Sequence, residues 1–356
     1  MIFILIGIVV ALAFEYINGF HDTAIAMATS VSTKVLTPRQ AVALAAVCNL
    51  AGALVGVTVA GTIGKGLVET SCVTPETVVC ALLGAILWNL ATWWLGLPSS
   101  SSHALIGGLC GAAFAAAHGD LTCIRWSVLN PATGHMEGLL HKVIIPMFTA
   151  PVIGFVGGYL LMGLLIMLVH RMRPRVINLV FGKMQLVSAA WMGFSHGTND
   201  AQKTMGIIAL LLLAGTRSGS FDHLAPAFGF LRTPEFSVAF WVKAACAATM
   251  ARGTAVGGWR IMRTLGHKVV RMQPIHGFAA QTTAAAVIQL ATHWGIPLST
   301  THVTSTAIMG VGCTKRMSAV KWGVVGRILW AWVLTLPVTC FLGYWFQKMA
   351  LGFFHH

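Results

Sequence analysis

The chain has 356 residues, 56% of them hydrophobic and only 9% charged, with a mean hydropathy of +0.79. So few charges cannot cover a soluble domain of this size, and the composition is that of a polytopic membrane protein in a lipid bilayer. The excess of 23 Lys and Arg over 9 Asp and Glu fits basic loops kept on one side of a bilayer; no basic run is interleaved with aromatics, which excludes nucleic acid as the partner.

Residues 1–32 are apolar but interrupted by Glu15, Asn18, His21 and Asp22, with Lys34 and Arg39 following. No charge precedes Glu15, so the basic start of a cleavable signal peptide is missing. Residues 40–62 read as an uninterrupted Ala/Val/Gly-rich span. A loop with Lys65, Glu69 and Glu76 leads to an apolar run at 77–95, a short polar stretch and a return run at 103–117. A return of about 15 residues is roughly 22 Å of helix, short of a hydrocarbon core of roughly 30 Å. This predicts a re-entrant hairpin over about 77–117. Residues 118–142 are polar, and 143–169 span again.

The strongest basic stretch, Arg171, Arg173, Arg175 and Lys183, predicts a cytoplasmic connecting loop over 170–183. The pattern then restarts. Residues 184–213 are apolar but interrupted by Ser195, His196, Asn199, Asp200 and Lys203, and a polar loop and a span at 237–259 follow. A second basic loop carries Arg260, Arg263, Lys268 and Arg271. Next come a second hairpin over about 275–313, then Lys315, Arg316 and Lys321, and a final span at 322–346. With the basic loops inside, 1–32 runs inward and 184–213 runs outward. The fold class expected is therefore all-α, with residues 1–169 and 184–356 as two inverted-topology repeats, each holding an interrupted helix and a re-entrant helical hairpin. Both termini fall on the outer side. The eight Cys lie mostly in apolar segments without a C-x-x-C and read as small core residues; Cys72 and Cys123, in loops, would pair only on an oxidising side. His355 and His356 close the chain.

Both hairpins turn on one motif. Gly96-Leu97-Pro98-Ser99-Ser100-Ser101-Ser102-His103 and Gly295-Ile296-Pro297-Leu298-Ser299-Thr300-Thr301-His302 share G-[LI]-P-x-S-[ST]-[ST]-H. Pro stops the preceding helix, and the small hydroxyl residues are good N-caps for the next. The new helix then aims free N–H groups and hydroxyls at whatever lies before it, which is anion-binding chemistry placed in apolar sequence, as transporters require.

Three acids, Glu15, Asp22 and Asp200, fall within apolar spans, where a carboxylate costs several kcal/mol unless it meets a cavity or a partner. Asp22 and Asp200 hold matching places in Gly19-Phe20-His21-Asp22-Thr23-Ala24 and Gly197-Thr198-Asn199-Asp200-Ala201-Gln202. The alternative is a structural ion pair, since Lys203 lies one turn after Asp200. Glu15, two turns before Asp22, reads either as a third site member or as an interfacial acid.

These residues resemble the inorganic phosphate transporter (PiT) family, most closely its bacterial low-affinity, proton-coupled members. The doubled Ser/Thr motif carries the likeness, together with the family's G-A-N-D-V-A-N-A-type element, seen as Asn18 to Ala24 and Gly193 to Lys203. The resemblance implies an inverted-repeat fold, phosphate as substrate, cation coupling, a homodimer and the inner membrane. His21 stands where sodium-coupled members carry Asn, Ile25 where most members have a second Asn, and Asn49 and Gln281 where sodium-coupled animal relatives place glutamates. Fewer oxygen ligands weaken a hard-cation site, so the expected coupling ion is H+, with Na+ the alternative and no metal or organic cofactor.

The expected reading is a secondary transporter, not an enzyme. Phosphate sits between the hairpin tips on Ser100, Ser101, Ser102, Ser299, Thr300 and Thr301. Asp22 and Asp200, with His21, Asn18, Asn199 and Gln202, carry coupling. Glu15, His103, His302, Asn49, Gln281 and Lys203 are further candidates, and His196 reads as a proton-relay member. Phosphate keeps a proton at neutral pH that a carboxylate can accept, whereas sulfate, the main substrate rival, has none. Gly193-Phe194-Ser195-His196-Gly197 also fits G-x-S-x-G, the mark of a serine hydrolase, but lacks the strand-turn-helix context. An anion channel would share the polar hairpins. His118, His135 and His141 show no metal-ligand spacing.

Overall fold

The computed structural model describes residues 2–131, 134–222, 226–258, 261–262, 264, 269–270 and 272–354, with the side chains of 24, 25, 226 and 227 left aside. Arg260, Arg263, Lys268, Arg271, His355, His356 and the side chain of Ile25 therefore lie outside the described residues. The elements are α1 (Ile2–Ser32), α2 (Pro38–Ala53), α3 (Thr58–Gly66), α4 (Pro75–Leu95), α5 (Ser101–Ala116), α6 (Leu140–Val169), α7 (Pro174–Arg217), α8 (Phe240–Val256), α9 (Pro274–His293), α10 (Thr300–Cys313) and α11 (Trp322–Phe354). A two-stranded antiparallel ribbon, β1 (Val128–Leu129) and β2 (Met136–Glu137), lies between α5 and α6. Helices α1, α4, α6 and α11 are each long and apolar enough to cross a membrane, and the bent pair α2 and α3 makes a fifth crossing if taken as one.

Three sequence expectations change. The span at 40–62 is broken: α2 and α3 meet at 67° across Leu54 to Val57, with Gly56 at φ 80°. The side chain of Gln202 satisfies this break from α7, its Oε1 accepting Val59 N–H (2.8 Å) and its Nε2 donating to Val55 O (3.2 Å). The polar residues of 1–32 and 184–213 interrupt the apolar pattern and leave the helices whole; several find partners inside the bundle, Glu15 with Thr204, His21 with Asp22, Asn199 with Thr292 and Lys203 with Asp200. The predicted loop over 170–183 shrinks to 170–173, as Pro174 sits at the first turn of α7 and its preset φ starts that helix. The hairpins keep the unequal limbs that the apolar runs predict: the first limbs, α4 and α9, have 21 and 20 residues, about 30 Å each, and the second limbs, α5 and α10 with 16 and 14, are short.

Packing repeats between the halves. Helix α5 packs on α11 and α10 on α6; α2 packs on α7 and α8 on α1; α4 packs on α1 and α9 on α7. Small residues allow these approaches. A Cβ on Gly197 would lie 2.3 Å from Asn49 O in α2, and one on Gly19 would lie 2.6 Å from Met250 O in α8. Two apolar cores flank a polar middle. One gathers Phe14, Leu82, Leu105, Leu211 and Met250; the other gathers Met27, Met192, Ile288, Val303 and Ile328. Cys72 and Cys123 are free thiols. Burial pushes the Cys123 thiol up to about 11, with Cys72 nearby adding to the shift.

Candidate functional site

Each hairpin turns in the same way. Gly96 and Gly295 take φ of 66° and 63°, the left-handed region in which glycine ends a helix without strain. A short extended stretch then doubles back to the middle of the bundle. There the Ser100 hydroxyl caps α5 by accepting His103 N–H (3.2 Å), and the Ser299 hydroxyl caps α10 by accepting His302 N–H (3.3 Å).

The two tips touch reciprocally. Ser102 Oγ donates to Leu298 O (3.3 Å), and the matching Thr301 Oγ1 donates to Ser99 O (2.9 Å). All six predicted hydroxyl residues, Ser100, Ser101, Ser102, Ser299, Thr300 and Thr301, are buried and brought together at this junction. The Ser101 hydroxyl has no partner among the described residues. His103 and His302 meet edge to face with centroids 4.9 Å apart, and His302 stacks on Trp332 at 4.0 Å.

The two matched acids converge on the same place from opposite halves. Ligand atoms of Asp22, His196 and Asp200 lie within 4.8 Å of one another, all three residues buried. His21 Nδ1 donates to Asp22 Oδ1 (2.6 Å), and its Nε2 faces Thr92 Oγ1 at 3.3 Å. His196 Nε2 lies 3.0 Å from Asp200 Oδ2, while its Nδ1 lies 3.1 Å from Asn49 Oδ1. Thr300 Oγ1 donates to Asp200 Oδ2 (3.1 Å). The Lys203 ammonium donates to Asp200 Oδ1, to Ser102 Oγ and to Leu298 O (the last at 2.9 Å), which uses all three of its protons. The ion pair anticipated from the i, i+3 spacing is therefore present. It also ties α7 to both hairpin tips, a link that the sequence spacing did not reveal.

The remaining candidates divide. Glu15 lies fully inside the bundle and accepts a hydrogen bond from Thr204 Oγ1 of α7, so it is no interfacial acid. Asn18 is buried one turn before Asp22. Asn199 Nδ2 donates to Thr292 Oγ1 (2.8 Å) and Ile296 O (3.2 Å), holding the second tip from below. Asn49 joins His196 to Thr254 (3.0 Å). Gln281 bonds Ser30 (2.8 Å) and Ser188 (3.0 Å), bridging α9 to α1 and α7, and Gln202 serves the α2/α3 break described above; neither has a described bond to the carboxylate pair. Ser195 is buried within the unbroken α7, without the exposed strand-to-helix elbow that a hydrolase nucleophile needs.

A bundle of membrane-length helices whose buried centre holds two acids, an ammonium and two hydroxyl tips defines a multi-pass membrane transporter. Residues 18–343 match the model of the phosphate transporter family. The Bacillus subtilis (strain 168) protein described as a "probable low-affinity inorganic phosphate transporter" is 42% identical over 345 residues, 96% of both chains. A protein of the same description from Rhizobium meliloti (strain 1021) is 44% identical over 341 residues, 95% of this chain and 94% of that one. The solved structure titled "The sodium-dependent phosphate transporter" superposes with a TM-score of 0.83 over 98% of this chain and 99% of its own, at 21% identity, and so shares the fold. The chain belongs to the phosphate transporter family.

Proposed function

We propose that the protein is a phosphate:proton symporter that works by alternating access between two inverted repeats. Phosphate is held at the junction of the hairpin tips, and the Asp22 and Asp200 carboxylates carry the coupling. The observation that carries this reading is the meeting of both tips and both acids at one buried point, with the carboxylates' ligand atoms inside a 4.8 Å group. Hydroxyls and the N-termini of α5 and α10 suit a tetrahedral oxyanion. The protonated phosphate oxygen suits a carboxylate acceptor, which sulfate cannot satisfy.

Proton rather than sodium coupling is supported by the nitrogens beside the acids. Lys203 and His196 stand at Asp200, and His21 stands at Asp22. Sodium requires a shell of oxygens and would have to displace the ammonium, whereas a proton needs no such shell. The resemblance supports a homodimer in the inner membrane, and basic loops kept on the inner side support both termini outside.

The test is radiolabelled phosphate uptake into proteoliposomes with pH and sodium gradients imposed separately. Saturable uptake driven by the pH gradient and unaffected by excess sulfate is expected. Uptake that follows only the sodium gradient would overturn the coupling, and conductance without accumulation would make the protein a channel.

A further inference from the structure

Directly over the second hairpin tip lies a cavity of about 500 Å³, lined by Thr58, Thr62, Lys142, His293, Trp294 and Ile296 among others. It shares Thr58, Thr62 and Glu137 with an adjoining cavity of about 470 Å³ that adds Lys65 and Arg125, so the two form one depression. Three cations line it against the single acid Glu137; a second acid, Glu69, lies outside the lining and faces Arg125 at 3.7 Å.

Its walls are unusual. Thr62–Gly66, carrying Lys65, and Leu140–Ile144, carrying Lys142, are both π-helical turns. Such turns are rare, cost backbone geometry and cluster at functional places. Here both point a lysine into the same depression.

Its floor is thin. From the cavity side the tip segment is held by three bonds: Thr58 Oγ1 to Thr292 O (2.9 Å), Thr62 Oγ1 to Gly295 O (2.7 Å) and Lys142 Nζ to Trp294 O (2.8 Å). From below, Asn199 holds Thr292 and Ile296, and the next residue in the chain is Asp200. Residues 292–296 are thus the layer between an open basic cavity and the buried acids.

We propose that this cavity is an oxyanion-receiving vestibule, and that Lys142 is the latch through which an arriving anion frees the second hairpin tip. The inference rests on the transport reading above. A phosphate oxygen competes for an ammonium better than the neutral Trp294 carbonyl does, because it adds the attraction of two opposite formal charges to the hydrogen bond. Once Lys142 turns to the anion, the two threonine hydroxyls are what holds the segment from the cavity side among the described residues. Lys65, exposed and 5.7 Å from the Phe236 ring, attracts the anion without touching the tip.

Two measurements test this. In proteoliposomes, Lys65→Gln should raise the KM for phosphate about three-fold with Vmax kept, the size of losing one solvent-exposed charge near an anion. Lys142→Gln should raise it further, and Lys142→Arg should restore most of the loss. Separately, Ile296→Cys is treated with an impermeant thiol reagent and modification is read by mass at position 296. Phosphate should speed modification several-fold when Lys142 is present, and in the Lys142→Gln background modification should be fast with or without phosphate. Unchanged KM in both lysine variants, or labelling indifferent to phosphate with Lys142 intact, overturns the proposal. If the wild-type chain moves no phosphate, the transport reading fails, while phosphate-dependent labelling still reports the vestibule.

Discussion

The two hairpin tips are made from one motif and stand in unlike surroundings. Above Gly295 the cavity measures about 500 Å³; beside Gly96 the corresponding space, lined by Leu97, Thr264 and Arg327, is about 50 Å³. The local chemistry is nevertheless parallel. Thr62 donates to Gly295 O at 2.7 Å, Thr264 donates to Gly96 O at 3.1 Å, and each site has a basic side chain at its rim. What differs is the space around the latch, by an order of magnitude. The comparison teaches that one structural device can exist in an opened and a closed setting within a single molecule, which is what the proposed alternating access demands. In that proposed cycle, this conformation would be the one open at the end that carries the β ribbon.

The acids beneath the tips break the symmetry more deeply. Asp200 is matched by Asp22, but Lys203 is matched in sequence by Ile25, so one carboxylate has a fixed cation bonded to it and the other is bonded by the His21 imidazole. Two variants probe this difference, with the largest effects expected anywhere. Asp22→Asn and Asp200→Asn should each abolish phosphate uptake, because a carboxylate kept at membrane depth despite its cost marks a functional site. Their stabilities should diverge. Asp200→Asn leaves a buried ammonium without its counter-charge, about 3–5 kcal/mol by analogy with broken buried pairs, whereas Asp22→Asn leaves a neutral hydrogen bond to His21 and costs about 1 kcal/mol. Thermal unfolding in detergent reads both. The double variant Asp200→Asn, Lys203→Met should recover stability without recovering uptake; equal stability of the two single variants would mean that Lys203 is not the fixed cation of the site.

Next in size are the threonine latches. Each contributes one hydroxyl-to-carbonyl bond, about 1 kcal/mol, so its loss shifts an opening equilibrium about five-fold. Thr264→Val should raise thiol modification of a Leu97→Cys probe by that factor, and Thr62→Val should do the same for an Ile296→Cys probe. Opposite sidedness of the two responses is the expected result. If both variants expose both probes, the tips open together and the comparison loses its meaning.

Much of this was legible in the chain, and what was not has identifiable causes. The tip motif carries its own local physics, a helix-stopping Pro followed by capping hydroxyls, and Ser100 and Ser299 cap α5 and α10 as those residue types predict. The paired aspartates stood out because carboxylates are rare in apolar sequence. The break between α2 and α3 did not, because Leu54, Val55 and Val57 are as apolar as a helix interior and only Gly56 marks the turn. Its stabiliser, Gln202, is distant in sequence, so its partners are set by tertiary packing. The early start of α7 was hidden by Arg175 and Lys183, which read as loop charges although Pro174 is a good first helical residue. The three-way grip of Lys203 depends on where Ser102 and Leu298 arrive, which no local pattern encodes.

The smallest expected effect is the most selective. Thr300 and Ser101 are equivalent positions of the two motifs, yet Thr300 donates to Asp200 while the Ser101 hydroxyl is buried without a partner among the described residues. Thr300→Val removes a charge-assisted bond and should cost about 1–2 kcal/mol of stability. Ser101→Ala removes a hydroxyl that holds nothing in the fold and should leave stability within about 0.5 kcal/mol. If that hydroxyl is kept for the substrate, the same Ser101→Ala change should raise the KM for phosphate several-fold at unchanged unfolding temperature. A hydroxyl that matters to transport and not to folding is one aimed at a ligand. Should Ser101→Ala leave KM unchanged, the first tip would lose its claim to bind the oxyanion, and the second tip, with Thr300 on Asp200, would carry the site alone.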